Sequence, residues 1–197
     1  MIAKRLICTA IIVLAAVAIS NGIPASAEAE TRYLKNNIHY QGRPDRGGRM
    51  AYNASYANYV DPGAGHEILP VNSEVEISVS SRRFRGRSLV IIDSKSGRTI
   101  HFEYNERNMR LPMLEYIDLI SSTQKTSLSN LSAKDRKGVK DGRAYIGMTK
   151  NGVRMALGYP AKHRTPSLDN YEWVYWIDRF RTQLIRFNNK GIVTEIR

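Results

Sequence analysis

The clearest alternation of apolar and polar residues lies in the first half of the chain. Val75, Ile77 and Val79 alternate with polar residues, which is the pattern of a strand with one buried face. Two further β-rich runs, Ser88–Asp93 and Arg98–Tyr104, flank a polar, glycine-containing turn and predict a hairpin. We therefore expect a β-rich module before residue 110.

Helical spacing of apolar residues appears only after this module. Leu111–Ile120 carries apolar residues three and four positions apart, which predicts an amphipathic helix. A second helix is expected to begin after Ser132, a good N-cap residue, and to end at Gly142. A third, Lys150–Leu157, follows the N-cap candidate Thr149.

The last part of the chain predicts three short strands in a meander. They are Tyr171–Ile177, Gln183–Phe187 and Ile192–Arg197, separated by polar turns. Alternation along the first strand places Val174 and Trp176 on one face and the remaining aromatic residues on the other. Both faces are thus apolar. Either the N-terminal module covers the Trp176 face, or that face is a partner-binding patch.

The region of the third helix and the meander resembles the SmpA/OmlA family, the BamE-like domain of bacterial envelope proteins. The resemblance rests on an ordered set of residues: Gly147, Met148, Thr149, Val153, Leu157, Gly158, Tyr159, Pro160, Trp173, Tyr175, Phe187, Gly191, Val193 and Ile196. It implies support of outer-membrane β-barrel assembly through partner proteins and anionic phospholipid. One departure is Gly152, where the family often has glutamate or glutamine. Without that side chain there is no capping box, so we expect a weaker helix start.

These patterns together predict an α+β fold with two modules. An N-terminal small β-barrel or sheet is followed by a BamE-like domain of two helices and a three-stranded antiparallel meander. Ile68–Ile77 resembles the entry strand of an SH3-like barrel, whereas residues 28–49 are expected to be extended or loose. The predicted divisions are a signal peptide (1–27), the β-rich, SH3-like module (28–110), a helix and polar linker (111–130) and the BamE-like domain (131–197).

The first 27 residues predict export. Lys4 and Arg5 precede the apolar run Leu6–Ile19, and Ala25-Ser26-Ala27 is a good cleavage site. A single transmembrane helix is the other interpretation, although the run is shorter than the about 20 residues that a span needs. We expect a periplasmic protein, peripheral at the outer membrane, with no transmembrane span in the mature chain. Cys8 is poorly placed for lipidation.

A net charge of +12 favours anionic partners. Export makes anionic phospholipid or glycan the expected partner and disfavours nucleic acid. Two groups of residues are candidates for binding it. A predicted hairpin tip carries Arg82, Arg83, Phe84, Arg85 and Arg87, and the polar side of the second helix carries Lys134, Arg136, Lys137 and Lys140. The alternative for the tip is a solvated turn whose charges prevent edge-to-edge aggregation.

No pattern of catalytic chemistry stands out. The histidines are scattered without metal-ligand spacing, namely His39, His66, His101 and His163. No serine lies in a nucleophile-elbow pattern. We therefore expect no catalytic residue, no metal and no cofactor. His163 and Arg164, in the loop before the meander, join Val174 and Trp176 as candidates for protein binding.

The predicted function is that of a non-enzymatic scaffold or binding protein of the cell envelope, supporting outer-membrane β-barrel assembly or envelope integrity. Its partners would be envelope proteins, including outer-membrane β-barrel assembly subunits. Two alternatives stay open. One is an SH3-like module that binds peptidoglycan in the cell wall, and the other is a periplasmic inhibitor of a hydrolase.

Overall fold

The computed structural model describes residues 31–80 and 88–197 of the chain. The strands in these ranges are β1 (Thr31–Leu34), β2 (Ile38–Pro44), β3 (Met50–Ser55), β4 (His66–Leu69), β5 (Glu74–Ser80), β6 (Ser88–Asp93), β7 (Thr99–Glu103), β8 (Ser121–Ser122), β9 (Glu172–Trp176), β10 (Thr182–Phe187) and β11 (Val193–Ile196). The helices are α1 (Glu106–Met109), α2 (Met113–Ile120), α3 (Ala133–Asp141) and α4 (Lys150–Leu157). Of these helices, none has the length and apolar character required to cross a bilayer.

Eight strands form one mixed sheet in the order β4-β2-β3-β7-β6-β5-β1-β8. Neighbouring strands are antiparallel except β3 and β7, which run parallel, with Ala54 opposite Phe102. Helix α2 covers one face of the sheet, where Tyr116 packs against Phe102 and Tyr104 with ring centroids 5.7 and 4.6 Å apart. The first hydrophobic core therefore lies between α2 and this sheet.

The other three strands form a separate antiparallel sheet in the order β11-β10-β9. Helix α4 supplies Val153, Ala156 and Leu157 to a second core that also contains Trp173 and Tyr175. Helix α3 packs against α4. The segment that follows β3 joins the two sheets, because the backbone amides of residues 60 and 61 donate to the carbonyls of residues 176 and 177 at the edge of β9.

The predicted fold class was wrong. The described residues are mainly β, and their largest element is the eight-stranded mixed sheet rather than a small β-barrel followed by a BamE-like unit of two helices and a meander. Residues 28–49, which we expected to be extended or loose, contribute β1 and β2. Local periodicity identifies strands but not their partners, and β1 pairs with β5 and with the distant β8.

One buried amide connects the eight-stranded sheet to helices α3 and α4. Asn37, between β1 and β2, donates from Nδ2 to the carbonyls of Val139 and Ala156 at 2.7 and 3.2 Å. Its Oδ1 accepts from the amide of Val71 at 2.9 Å. Its own backbone amide donates to Met155 O at 2.8 Å. Buried polar groups are stable only when they are hydrogen-bonded, so Asn37 fixes where α3 and α4 lie against the strands.

A carboxylate from α3 caps the start of α4. Asp135 is buried and accepts from the Thr149 amide at 2.8 Å and from the Thr149 hydroxyl at 3.2 Å. The same carboxylate completes the capping box of Ser132 on its own helix. Gly152 leaves the space it needs, because a Cβ there would lie 2.0 Å from Asp135 Oδ1. The missing capping-box side chain of α4 is thus replaced by one from the neighbouring helix.

Candidate functional site

The predicted arginine tip lies outside the described residues. Strands β5 and β6, which precede and follow it, pair in antiparallel register as far as Ser80 and Ser88. The residues of that tip, Arg82, Arg83, Phe84, Arg85 and Arg87, stay a prediction.

The second predicted basic group lies on the solvent side of α3. Its buried side consists of Asp135, Gly138 and Val139. The four cationic side chains are exposed, and we call them the α3 basic surface: Lys134, Arg136, Lys137 and Lys140. The capping box at Ser132 and the left-handed Gly142 fix both ends of the helix. The four cations therefore lie on the exposed side of the helix, and their role in binding stays a prediction.

An exposed apolar residue lies within this surface. Ile146, in the loop between α3 and α4, is 59% exposed. Lys134 Nζ donates to its carbonyl at 3.1 Å, which brings the ammonium group beside the isoleucine. A shallow depression of about 460 Å³ is lined by Lys134, Lys137, Ala144, Tyr145, Ile146 and Ile196. The sequence analysis did not single out Ile146, because the resemblance in this region rests on Gly147, Met148 and Thr149.

One acidic group moderates the charge of the α3 basic surface. Lys137 Nζ lies 2.5 Å from Asp141 Oδ2 and 4.3 Å from the ring centroid of Tyr145. The hydrogen bond to Asp141 raises the pKa of Lys137, with a smaller contribution from Tyr145. Within the described residues, Lys134, Arg136 and Lys140 form no ion pair. The surface thus keeps a cationic excess next to an apolar side chain.

The second face of the three-stranded sheet is the other candidate. Val174 and Trp176 are half-buried and belong to neither hydrophobic core, whereas Trp173 and Tyr175 are buried beneath them. Val174 lies opposite Leu184 on β10, so an apolar stripe crosses this outer face. Val174 and Trp176 both keep part of their surface exposed, so a partially exposed patch remains on this face.

The loop before β9 brings one predicted residue to this face and leaves another away from it. Arg164 lines a shallow depression of about 380 Å³ with Tyr171 and Val174. His163 does not line it, and its backbone amide instead donates to Asn108 O at 3.0 Å. Phe180, at the tip between β9 and β10, is 86% exposed and was missed. The sequence feature that could have identified Phe180 is its place between Arg179 and Arg181 in a predicted turn.

Two histidines that seemed scattered in the sequence are neighbours. The rings of His39 on β2 and His66 on β4 are stacked, with centroids 5.2 Å apart. Burial lowers the pKa of His39 to about 4, and burial also lowers the pKa of His66. Among the described residues there is no cluster of three or more histidine, cysteine or acidic side chains that could hold a metal ion. His39 Nε2 also lies 2.9 Å from the Ala156 carbonyl oxygen, so the pair links β2 and β4 to α4.

Comparisons of the chain with protein-family models, curated proteins and solved structures found no match. The resemblance to the SmpA/OmlA family stays a prediction based on its residues alone. The chemistry of the two surfaces is that of binding, since cations and exposed apolar groups attract anionic and amphipathic partners.

Proposed function

We propose that this protein is a non-enzymatic binding protein of the bacterial cell envelope. It attaches to an anionic phospholipid surface through the α3 basic surface and Ile146. The observation that carries this proposal is the position of the exposed Ile146 beside Lys134 and Lys137 of α3. Cations bind the lipid head groups, while the isoleucine and Tyr145 enter the interface.

The energetics support a peripheral, reversible attachment. Each basic residue near an anionic bilayer contributes on the order of 1 kcal/mol. An apolar side chain that leaves water adds about 0.8 kcal/mol for each buried methylene. A bilayer satisfies both parts of this surface. A soluble acidic glycan offers charges but no apolar phase for Ile146, so we favour phospholipid.

The envelope location rests on the predicted signal peptide at residues 1–27, which lies outside the described residues. Binding of envelope proteins, including outer-membrane β-barrel assembly subunits, stays a prediction. We place it at the outer face of the three-stranded sheet, where Val174, Trp176 and Leu184 form the half-buried stripe. Co-purification of those subunits with wild type, and its loss with Trp176→Ala, is the expected result.

The phospholipid proposal is tested by sedimentation with phosphatidylglycerol vesicles and with neutral phosphatidylcholine vesicles. The test variant replaces Lys134, Arg136, Lys137 and Lys140 with glutamine. We expect binding to anionic vesicles to fall by roughly 3–4 kcal/mol, or between about a hundredfold and a thousandfold. Ile146→Ser should weaken binding less, and its effect should persist in high salt, because salt screens charges but not apolar contacts.

A matched control removes the same charge elsewhere. Arg49, Lys95, Lys125 and Lys190 are exposed and lie on other parts of the surface. Their replacement with glutamine should lower affinity far less than the α3 variant does. Equal losses in the two variants would mean that net charge alone drives binding. A third variant, with Arg82, Arg83, Arg85 and Arg87 changed to serine, reports on the predicted tip. If only this third variant loses binding, the assignment to α3 is wrong.

A further inference from the structure

A groove separates the helices of the large sheet from the loop before β9. Its volume is about 370 Å³. One wall carries Leu111 and Leu119, the other carries Tyr159, Pro160 and Leu168, and Met109 is buried between them. The groove lies apart from the α3 basic surface and shares no lining residue with it.

The walls are held in place without any occupant. The amide of His163 donates to Asn108 O at 3.0 Å, which ties the loop to α1. The hydroxyl of Thr165 accepts from the Val174 amide at 2.9 Å, which ties the same loop to β9. On the opposite wall, Tyr104 donates to Leu111 O at 2.8 Å. A groove with fixed walls binds its ligand without the entropic cost of ordering loops.

The polar groups of the groove carry opposite charges in different environments. Lys162 lines the groove, is half-buried, and has no hydrogen bond or ion pair within residues 31–80 and 88–197. Asp169 is exposed at the rim, where its carboxylate accepts from the Ser167 hydroxyl at 3.2 Å. A partly desolvated cation without a partner favours an anion, while the carboxylate is already solvated and hydrogen-bonded.

We propose that this groove binds one fatty acid, with the acyl chain along the apolar walls and the carboxylate at Lys162. The volume lies near the lower end of the about 300–1,000 Å³ typical of ligand sites, which suits one chain rather than a two-chain phospholipid. The chain contacts the leucines and prolines, and the head group forms the ion pair that Lys162 lacks. This binding site is separate from the membrane attachment proposed above.

The probe is dodecanoate, titrated calorimetrically below its micellar concentration. Leu119→Trp fills the groove from α2 and should weaken binding about tenfold or more, because several methylenes lose their contacts. Leu114→Trp is the matched control, since Leu114 lies on the same helix, is 69% exposed and does not line the groove. Leu168→Trp fills the groove from the opposite wall, so a folding defect in one variant leaves the other informative.

Charge variants test the position of the head group. Lys162→Gln should weaken dodecanoate binding about tenfold, the effect of losing a charge-assisted hydrogen bond. Asp169→Asn should strengthen it about twofold, because a like charge at the exposed rim is removed. Dodecyltrimethylammonium has the same chain with a cationic head, and it should bind wild type more weakly than dodecanoate does.

Three results would overturn the proposal: no heat of binding with dodecanoate, equal affinity of wild type and both tryptophan fill-in variants, or tighter binding of the cationic detergent. The outcome is independent of the phospholipid proposal. The α3 glutamine variant should keep dodecanoate binding, and Leu119→Trp should keep vesicle binding. A loss of both activities in either variant would indicate a general folding defect, which circular dichroism detects.

Discussion

His39 Nδ1 lies 2.9 Å from His66 Nε2, and the second ring nitrogen of His39 lies 2.9 Å from the carbonyl oxygen of Ala156. A carbonyl only accepts, so His39 Nε2 carries a proton, and one further proton lies between His39 Nδ1 and His66 Nε2. The remaining nitrogen, His66 Nδ1, lies 3.8 Å from Asp61 Oδ1. Since only one proton fits between the facing nitrogens, the two imidazoles cannot both be charged, and a neutral His39 accepts from His66 Nε2–H.

Acid should therefore destabilise the fold through His39. Its folded pKa is about 4 against 6.5 for the unfolded chain, mainly because of burial. The unfolded state binds more protons between these values, so stability is fully present above pH 6.5 and is lost as pH falls toward 4. The expected loss is about 3 kcal/mol, to which the lowered pKa of His66 adds in the same direction. Urea denaturation at a series of pH values measures it.

Two variants separate His39 from the carboxylates that also titrate in acid. His39→Gln should flatten the curve between pH 6.5 and 4. His163→Gln removes an exposed imidazole outside the pair and is the control for the loss of one imidazole side chain. An unchanged slope in His39→Gln would show that the buried pair does not control acid stability.

Asn37→Ala should destabilise the protein by about 3–5 kcal/mol. The substitution removes the side-chain amide of Asn37, which is the hydrogen-bond partner of the Val71 N–H and of the carbonyls of Val139 and Ala156. Each unsatisfied buried group costs about 1–3 kcal/mol. Chemical denaturation measures the loss. Asn189→Ala, at an exposed turn, is the control and should change stability by less than about 0.5 kcal/mol. Similar losses in the two variants would contradict the role of Asn37.

Gly152→Ala should lower stability by about 1–3 kcal/mol, although alanine normally stabilises a helix by about 1 kcal/mol over glycine. The added methyl group would lie 2.0 Å from the carboxylate of Asp135. A double-mutant cycle checks this cause. In an Asp135→Ala background, Gly152→Ala should be neutral or stabilising. If the effects of Gly152→Ala and Asp135→Ala on the free energy of unfolding are additive, a clash between the two side chains is not the cause.

Trp173→Ala should cost about 3–5 kcal/mol, the range for deleting a large buried aromatic side chain. Trp173 is 1% exposed, and its ring centroid lies 4.8 Å from that of Phe187. Trp176→Ala, on the half-buried outer face, should cost about 1 kcal/mol. Equilibrium denaturation of both variants measures the difference, and a reversed order would place the outer face in the core.

Local features of the chain were predictable because their causes are local. Ser132 and Gly142 bound α3, and Thr149 and Gly158 bound α4, as the sequence indicated. Strand β6 has the predicted bounds. The exposure of Lys134 and its neighbours on α3 follows from helical spacing alone. Caps, turns and helix faces are decided by residues within four positions of one another.

Features that depend on distant contacts were not predictable. The parallel pairing of β3 with β7 joins residues near 52 to residues near 100, and no local pattern specifies it. His39 and His66 meet because β2 pairs with β4 in a register that periodicity does not reveal. The acyl-sized groove combines Leu119 with Pro160, which lie on separate elements. Gly152 alone predicted a weak start of α4, whereas Asp135 of α3 supplies the missing capping carboxylate.

The position of Asn37 also has a kinetic consequence. Its amide lies 102 and 119 residues before the carbonyls it bonds. A partly folded chain containing only the eight-stranded sheet lacks α3 and α4, so this side chain would be open to water and would gain these partners only when the helices dock. Pairings over such separations fold slowly, because loop closure precedes any compensating contact. We expect slow refolding in which the docking of α3 and α4 against the large sheet is the slow step.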